Sequence, residues 1–265
     1  MKRTILFLVC LTTVWTVCLH GTLTVLSLSQ NEYFLAETPD AGIEYQDTLV
    51  FFGESTTAHL KSRGVLSGGK RTAQVFANES GTMLLSKKIK DQTILYPKTG
   101  ERMTLAQAIA TEQPAYMVLS FGLNGILGFA KNTNVYLDCY QNLIDLIKQE
   151  SPNTAIIIQT IYPVKAPKNT ADWHFSESVE EINSKIQALN AVLPILAKQN
   201  QGVKIADTAS VLRDDSGALL PQYDTGDGIH LTTDAYAKIL SYLRTHAYHV
   251  PTPLPLPKEY WRNAT

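Results

Sequence analysis

Five short apolar runs along the chain predict β-strands. Each is rich in β-branched or aromatic residues and is bounded by residues that favour turns. The runs occupy residues 48–53, 73–77, 115–122, 154–162 and 202–208. They are short enough to cross a sheet once, so each predicts a single strand.

Amphipathic segments with helical periodicity lie between and after these runs. They cover residues 104–112, 134–151, 178–199 and 232–246, the last with Thr232 or Thr233 as N-cap. Strands that alternate with helices predict a three-layer α/β domain with a doubly wound, mainly parallel, five-stranded sheet. Ligands of such sheets bind beyond the carboxyl ends of the strands, so candidate functional residues are sought there.

The amino terminus has a different pattern. Lys2 and Arg3 precede an uncharged, mostly apolar stretch at residues 5–28, which exceeds the ~20 residues that a membrane-spanning helix needs. Residues 1–30 are interpreted as a signal-anchor or, alternatively, as a signal peptide cleaved near Ser27–Ser29. The two basic residues favour a cytoplasmic start. The rest of the chain is then expected outside, either held at the cell membrane by a single span or secreted.

The remaining chain divides into three parts. Residues 31–46 are polar and are predicted to form a linker, and residues 47–249 hold all the predicted strands and helices. Residues 250–265 are rich in proline and are expected to form an extended tail. One globular domain between a connector and a tail is therefore predicted.

Composition and charge exclude several function classes. The formal net charge is −1 and no basic stripe is present, which argues against nucleic-acid binding. Three cysteines give no disulfide framework, and Cys139, the one beyond the apolar amino terminus, is expected to be a buried thiol. No zinc-type spacing of His and Cys occurs. No metal or other cofactor is predicted, and the sequence does not indicate an oligomeric state.

One segment, residues 64–71, nearly matches a phosphate-binding loop. Gly64, Gly69 and Lys70 fit the glycine–lysine pattern, but Arg71 stands where Ser or Thr is needed to hold magnesium. No strong strand leads directly into the segment. It is therefore interpreted as a solvated loop.

A set of chemically suitable residues follows the predicted strands. Ser55 follows the first strand, and Asp227 and His230 precede the last helix. A serine hydroxyl becomes a nucleophile when a base removes its proton, and histidine is suited to that task. Asp227 can hold the imidazole in one tautomer. On its own, Ser55 would be interpreted as an ordinary turn residue. Together with Asp227 and His230 it predicts a catalytic triad.

The predicted oxyanion hole uses backbone and side-chain donors. A tetrahedral oxyanion needs preorganised hydrogen-bond donors. The Ser55 and Gly81 backbone N–H groups and the Asn124 side-chain amide supply three in this prediction, with Gly64, Gly68 and Gly69 as nearby alternatives to Gly81.

In these residues the chain resembles the SGNH/GDSL hydrolases. Gly53-Glu54-Ser55 is similar to the Gly-Asp-Ser block of that family, Gly81 to its oxyanion glycine, Gly122-Leu123-Asn124 to its Gly-x-Asn block, and Asp227-Gly228-Ile229-His230 to its last block. Four blocks in order are far more specific than any one of them, and they span residues 47–246. The resemblance implies a flavodoxin-like three-layer fold and metal-free ester hydrolysis.

Two residues depart from the family pattern. Glu54 stands where aspartate is usual, and Gly125 stands where an aspartate often follows the asparagine. The acid at position 54 is not a triad member, so its longer side chain is expected to alter only the packing of the turn. Gly125 is expected to change how the Asn124 loop is held.

Residues 162–178 form a long connection after the fourth predicted strand. Long loops in compact domains are often functional, and Tyr162 and Trp173 are predicted to form a wall for an acyl or sugar group. The alternative is that the aromatic residues of this loop pack on the domain.

The sequence supports a serine esterase, with deacetylation of a cell-envelope glycan as one form of its activity. The expected substrate is then a small acyl ester or an acylated glycan. Two alternatives use the same fold: a carbohydrate O-acyltransferase and a non-catalytic glycan-binding module.

Overall fold

The computed structural model describes residues 32–166 and 176–248. Its main sheet has five parallel strands in the spatial order β2-β1-β5-β6-β7. This is the flavodoxin-like order, and it confirms the predicted parallel five-stranded sheet. The strands are β1 (Leu49–Gly53), β2 (Val75–Phe76), β5 (Tyr116–Ser120), β6 (Ala155–Gln159) and β7 (Val203–Ala206).

Helices cover the sheet; within the described residues there are seven α-helices, of which four lie close to the predicted segments at 104–112, 134–151, 178–199 and 232–246 and three were not predicted. The seven are α1 (Gly42–Asp47), α2 (Ser55–Ser62), α3 (Leu105–Glu112), α4 (Ile126–Lys131), α5 (Thr133–Glu150), α6 (Val179–Gln199) and α7 (Thr233–Thr245). Thr104 and Ser178 start α3 and α6 through capping boxes, and Thr232 caps α7. Each cap accepts a hydrogen bond from a backbone N–H of the first turn, which explains why these helices begin where they do.

Two hydrophobic cores form on the opposite faces of the sheet. Along β1, Val50 and Phe52 face the core that contains α3, α5 and α6, whereas Leu49 and Phe51 face the core that contains α2 and α7. Successive side chains of a strand point to opposite faces. A strand covered on both faces must therefore be apolar at every position, as β1 is.

Some elements were not predicted. A small antiparallel hairpin pairs β3 (Thr93–Leu95) with β4 (Arg102–Thr104). Part of the predicted linker also packs on the domain: Phe34 forms a parallel bridge with Ile205 of β7, and residues 42–47 form α1.

Among the helices of the described ranges, none combines the length and the apolar character needed to cross a bilayer. The predicted anchor or signal at 1–30 and the tail at 250–265 lie outside the described residues. Both interpretations therefore stay predictions.

Candidate active site

The turn that carries Ser55 is a tight junction between β1 and α2. Gly53 ends β1, and a Cβ there would lie 2.4 Å from the Ser120 carbonyl oxygen and 2.2 Å from Thr57 Oγ1. Only glycine permits this close approach of β1, β5 and α2. Glu54 is the N-cap of α2, and Ser55 is its first residue. Ser55 thus lies at the carboxyl end of β1, next to the central strand β5.

His230 faces Ser55 from the loop that precedes α7. Its Nε2 lies 3.1 Å from Ser55 Oγ, and its Nδ1 lies 2.7 Å from Asp227 Oδ2. The other oxygen of Asp227 accepts the backbone N–H groups of Ile229 and His230 at 2.9 and 2.8 Å. The structure therefore brings the three predicted triad residues together, in the order hydroxyl, imidazole, carboxylate.

The electrostatics of Asp227 suit a permanent anion. Burial raises the pKa of Asp227, but hydrogen bonds from the backbone and ring of His230 and from the Ile229 N–H outweigh it, so that the pKa falls to about 2. Above that pH the carboxylate accepts a hydrogen bond from Nδ1–H, which favours the tautomer whose Nε2 is the acceptor that faces Ser55.

Glu54 has a role that its sequence position did not reveal. Its carboxyl group is buried, and its Oε1 accepts the backbone N–H groups of Gly122 and Asn124 at 2.9 and 3.1 Å. Its Oε2 also accepts from the Asn124 N–H, at 3.1 Å. The expectation that Glu54 alters only turn packing is wrong, because this side chain ties the Ser55 turn to the loop that carries Asn124.

The same loop is held from its other side by two tyrosines of α5. Tyr136 and Tyr140 donate their hydroxyls to the Phe121 carbonyl oxygen at 3.1 and 3.2 Å, and the Phe121 N–H donates to Tyr140 Oη at 3.1 Å. All of these groups are buried. The backbone before Asn124 is therefore fixed by hydrogen bonds from two directions.

Gly125 is explained by the backbone that it must adopt. It is the N-cap of α4 and has a φ of 97°. An aspartate, which the family often has here, is disfavoured at this φ because of its Cβ. The departure at Gly125 therefore fits the local entry into α4 and leaves the Ser55–His230 geometry intact.

Burial dominates the titration of Glu54. Loss of solvent raises the pKa of Glu54 to about 8, although hydrogen bonds from the Gly122, Asn124 and Leu123 N–H groups act in the opposite direction. A carboxyl group this deep in the protein favours its neutral form. The group can still accept the backbone hydrogen bonds in that form.

The two predicted backbone donors of the oxyanion hole differ in their hydrogen bonds. The Thr57 and Ala58 N–H groups donate to the Glu54 carbonyl oxygen, whereas the Ser55 N–H has no backbone acceptor among the described residues. Gly81 lies in the same cleft as Ser55. However, its N–H donates to the Asn78 carbonyl oxygen at 3.1 Å. Because the Gly81 N–H is already hydrogen-bonded within its own turn, its prediction as a free oxyanion donor is not supported.

Tyr162 and Trp173 of the loop at residues 162–178 were predicted to border the substrate site, and the structure describes only Tyr162. Tyr162 has 7% of its surface exposed and belongs to the hydrophobic core that α2 and α7 cover. Burial raises its pKa beyond the usual range, with hydrogen bonds to Thr208, Ser120 and Gln159 acting against that shift. Tyr162 is therefore a core residue and not a wall of the substrate site. Trp173 lies outside the described residues.

A cleft of about 650 Å³ opens beside the triad. Ser55 and His230 lie at one end, and the cleft continues between α2 and the loop at residues 77–82. His59, one helical turn after Ser55, packs its ring 4.7 Å from that of His230. Burial, together with the charges of His230 and Arg63, lowers the pKa of His59 to about 4. His59 is thus an uncharged wall beside the imidazole, and sequence spacing alone gave no sign of it.

No metal-binding group of three or more His, Cys, Asp or Glu side chains occurs within residues 32–166 and 176–248. Cys139 is buried in a hydrophobic core, where desolvation raises its pKa, as expected for an inert thiol. The chemistry available at the site is thus that of a hydroxyl, an imidazole and a carboxylate.

Several solved structures are similar to this chain. A "putative platelet activating factor" from Streptococcus pneumonia is 19% identical over 89% of this chain and 99% of its own, with a TM-score of 0.52. A family 3 carbohydrate esterase from Clostridium thermocellum is 18% identical over 75% and 93%, with a TM-score of 0.45. A family 3 carbohydrate esterase from Talaromyces cellulolyticus is 14% identical over 74% and 93%, with a TM-score of 0.47. At these identities the first likeness shows the fold alone.

The sequence itself decides the family. No curated protein matches the chain. The model of the GDSL-like Lipase/Acylhydrolase family matches residues 51–238, which hold Ser55, Asn124, Asp227 and His230. The chain therefore belongs to the GDSL-like lipase and acylhydrolase family and is an SGNH-type hydrolase that acts on ester bonds.

Proposed function

We propose that this chain is an extracytoplasmic serine esterase in which Ser55, His230 and Asp227 act as one catalytic unit. The observation that carries the proposal is the 3.1 Å approach of Ser55 Oγ to His230 Nε2, with Asp227 Oδ2 at 2.7 Å from the other ring nitrogen. Nucleophile, base and orienting group within hydrogen-bonding reach are the geometric signature of covalent acyl transfer.

In the first half of the reaction, Ser55 Oγ attacks the ester carbonyl carbon while His230 Nε2 takes the hydroxyl proton. Asp227 stabilises the imidazolium that forms and keeps Nε2 aimed at the serine. The tetrahedral intermediate then collapses, the ester C–O bond breaks, and His230 returns the proton to the departing alcohol. An acyl group remains on Ser55.

The negative oxygen of the intermediate requires donors at the Ser55 turn. The N–H of Ser55 is one, at the amino end of α2, and the side-chain amide of Asn124 is the other in this proposal. The Glu54 carboxyl group holds the Asn124 backbone beside that turn. In the second half of the reaction, water attacks the acyl group with His230 as the base, and the acid is released.

The proposal also includes a location and a natural substrate. The amino-terminal pattern of Lys2, Arg3 and an uncharged stretch favours an external domain, held by a single span or secreted. An external esterase has acylated envelope glycans within its reach, so removal of acetyl groups from such a glycan is the proposed activity. In intact cells of the source organism, added protease should digest the domain; full protection of the domain would contradict this location.

One assay separates the esterase from its alternatives. The purified domain is incubated with 4-nitrophenyl esters of short and long acids, with and without an oligosaccharide acceptor. Hydrolysis that does not depend on the acceptor supports the proposal. Acyl transfer that requires the acceptor would replace it with an O-acyltransferase, and absence of both reactions would contradict it.

A further inference from the structure

The cleft beside Ser55 carries an unbalanced positive charge. We propose that Lys61 and Lys70 form a subsite in this cleft that binds an anionic group, a carboxylate or a phosphate, of the acyl-ester substrate. The inference rests on the proposed esterase function and extends it by naming the chemical class of the substrate.

The two lysines reach the cleft from different elements. Lys61 lies in the last turn of α2, the helix that begins with Ser55, and Lys70 lies in the short 3-10 helix Gly69–Arg71. Both line the cleft that also contains Ser55 and His230. Ser55, Lys61 and Lys70 therefore line one cleft of about 650 Å³.

Acidic groups of the cleft do not neutralise these lysines. Glu79 also lines the cleft, but its carboxylate forms an ion pair with Arg102. Asp227 is hydrogen-bonded to His230, at the catalytic end. Within residues 32–166 and 176–248, neither Lys61 nor Lys70 lies within ion-pair distance of a carboxylate.

His59 does not add to this charge at neutral pH. It lines the cleft next to His230, and its pKa of about 4 leaves the ring neutral in the range where an esterase works. Two lysines therefore line the cleft, and among the described residues that line it Glu79 is the one acidic residue. A concave site with one sign of charge attracts ligands of the opposite sign.

This assignment also gives a role to the segment that resembles a phosphate-binding loop. Residues 64–71 do not connect a strand of the sheet to a long helix, so they cannot cradle phosphates as such a loop does. Lys70 of this segment instead lines the ester cleft. The anion is thus a recognition element of the substrate, and the bond that breaks is still the ester C–O bond.

The anionic group can stand on either side of the ester, and two probe pairs distinguish these sources. For the alcohol side, 4-acetoxybenzoate is compared with its methyl ester. For the acyl side, the 4-nitrophenyl monoester of adipic acid is compared with 4-nitrophenyl hexanoate. In each pair the ratio of kcat/KM for the charged probe to that for the neutral probe is measured at low and high salt.

We expect the charged-to-neutral ratio of one pair to fall about 3- to 10-fold in Lys61→Gln and in Lys70→Gln, and further in the double variant. An interaction of order 1 kcal/mol per partly exposed charge gives this range. The ratio should also fall as salt rises in the wild type. Lys238→Gln, which removes the same charge from the exposed face of α7, should leave both ratios unchanged.

The subsite would be overturned if the charged-to-neutral ratios of both probe pairs did not change in the double variant. The esterase proposal would still stand in that case, provided that the neutral esters are hydrolysed. Binding is measured separately in Ser55→Ala, by calorimetry with 4-acetoxybenzoate and its methyl ester and with the adipate monoester and the hexanoate. The expected result is tighter binding of one charged probe than of its neutral partner, with this difference lost when both lysines are exchanged. Equal binding of the charged and neutral members of both pairs contradicts it.

Discussion

Exchange of Glu54 for glutamine tests how the Ser55 turn and the Asn124 loop are held together. In the wild type, Oε1 accepts from the Gly122 and Asn124 N–H groups, and Oε2 accepts from Asn124 at 3.1 Å. A glutamine can keep the first oxygen in place. Its amide nitrogen then faces the Asn124 N–H, so two donors meet in a buried site. Leaving a buried polar group without a partner costs about 1–3 kcal/mol.

The difference in the free energy of unfolding between the wild type and Glu54→Gln should depend on pH. Burial raises the pKa of Glu54 from 4.5 to about 8 in the folded chain. A group whose pKa is raised on folding contributes its stability in full below its unfolded pKa and loses it as the pH rises through its folded pKa. The advantage of the wild type over Glu54→Gln should therefore be largest near pH 4.5 and should shrink as the pH rises toward 8.

The assay is urea unfolding at a series of pH values, together with ester hydrolysis at neutral pH. We expect Glu54→Gln to lower kcat about 10- to 100-fold, since the Asn124 amide is displaced but not removed. Glu44→Gln makes the same chemical change on the exposed surface of α1 and should alter neither quantity. A stability gap that widens from pH 4.5 to pH 8 would refute the reasoning, because Glu54 would then be stabilised as an anion.

Three further predictions concern the triad, the core and metal. Asp227→Asn should fold normally and lower kcat by roughly 1,000-fold or more, because His230 loses the carboxylate that fixes its tautomer; steady-state kinetics with a circular dichroism control measure this. Tyr162→Phe should lower the free energy of unfolding by about 1–2 kcal/mol and leave KM unchanged, since its hydroxyl serves the core; an altered KM would restore it to the substrate site. Treatment with EDTA should leave ester hydrolysis unchanged, and a loss that zinc restores would contradict a metal-free mechanism.

Much of the fold could be predicted because its strands are covered on both faces. β1, β5 and β6 are apolar at nearly every position, and a run of that kind between amphipathic segments is typical of a central parallel strand. The β3–β4 hairpin was missed because strands of three residues carry no periodicity. Helix α2 was missed because its buried residues include Thr56 and Thr57, which blur the apolar stripe.

The triad was predicted from the placement of its residues after the first strand and before the last helix, together with the family resemblance. Ser55 and His230 are 175 residues apart, and only the fold brings them to one edge of the sheet. The two corrections have a common physical cause. Whether the Gly81 N–H is free, and whether Tyr162 faces the cleft or the core, depends on local backbone geometry that residue identity does not encode.

The role of Glu54 could not be predicted from the sequence either. From the sequence, a carboxylate that follows a strand is expected to be a solvated turn residue. Nothing in the sequence indicates that Glu54 is buried against three backbone N–H groups. Lys61 and Lys70 are likewise ordinary surface lysines until α2 and the neighbouring 3-10 helix are placed along one cleft.

The most direct test of the central claim is the turnover of Ser55→Ala. The variant is compared with the wild type and with Ser241→Ala, which makes the same change on α7 away from the cleft, using 4-nitrophenyl acetate and thermal unfolding. We expect Ser55→Ala to keep its melting temperature within a few degrees and to lose several orders of magnitude in kcat, while Ser241→Ala hydrolyses the ester as the wild type does. A folded Ser55→Ala protein with near-wild-type turnover would contradict the assignment of Ser55 as the nucleophile.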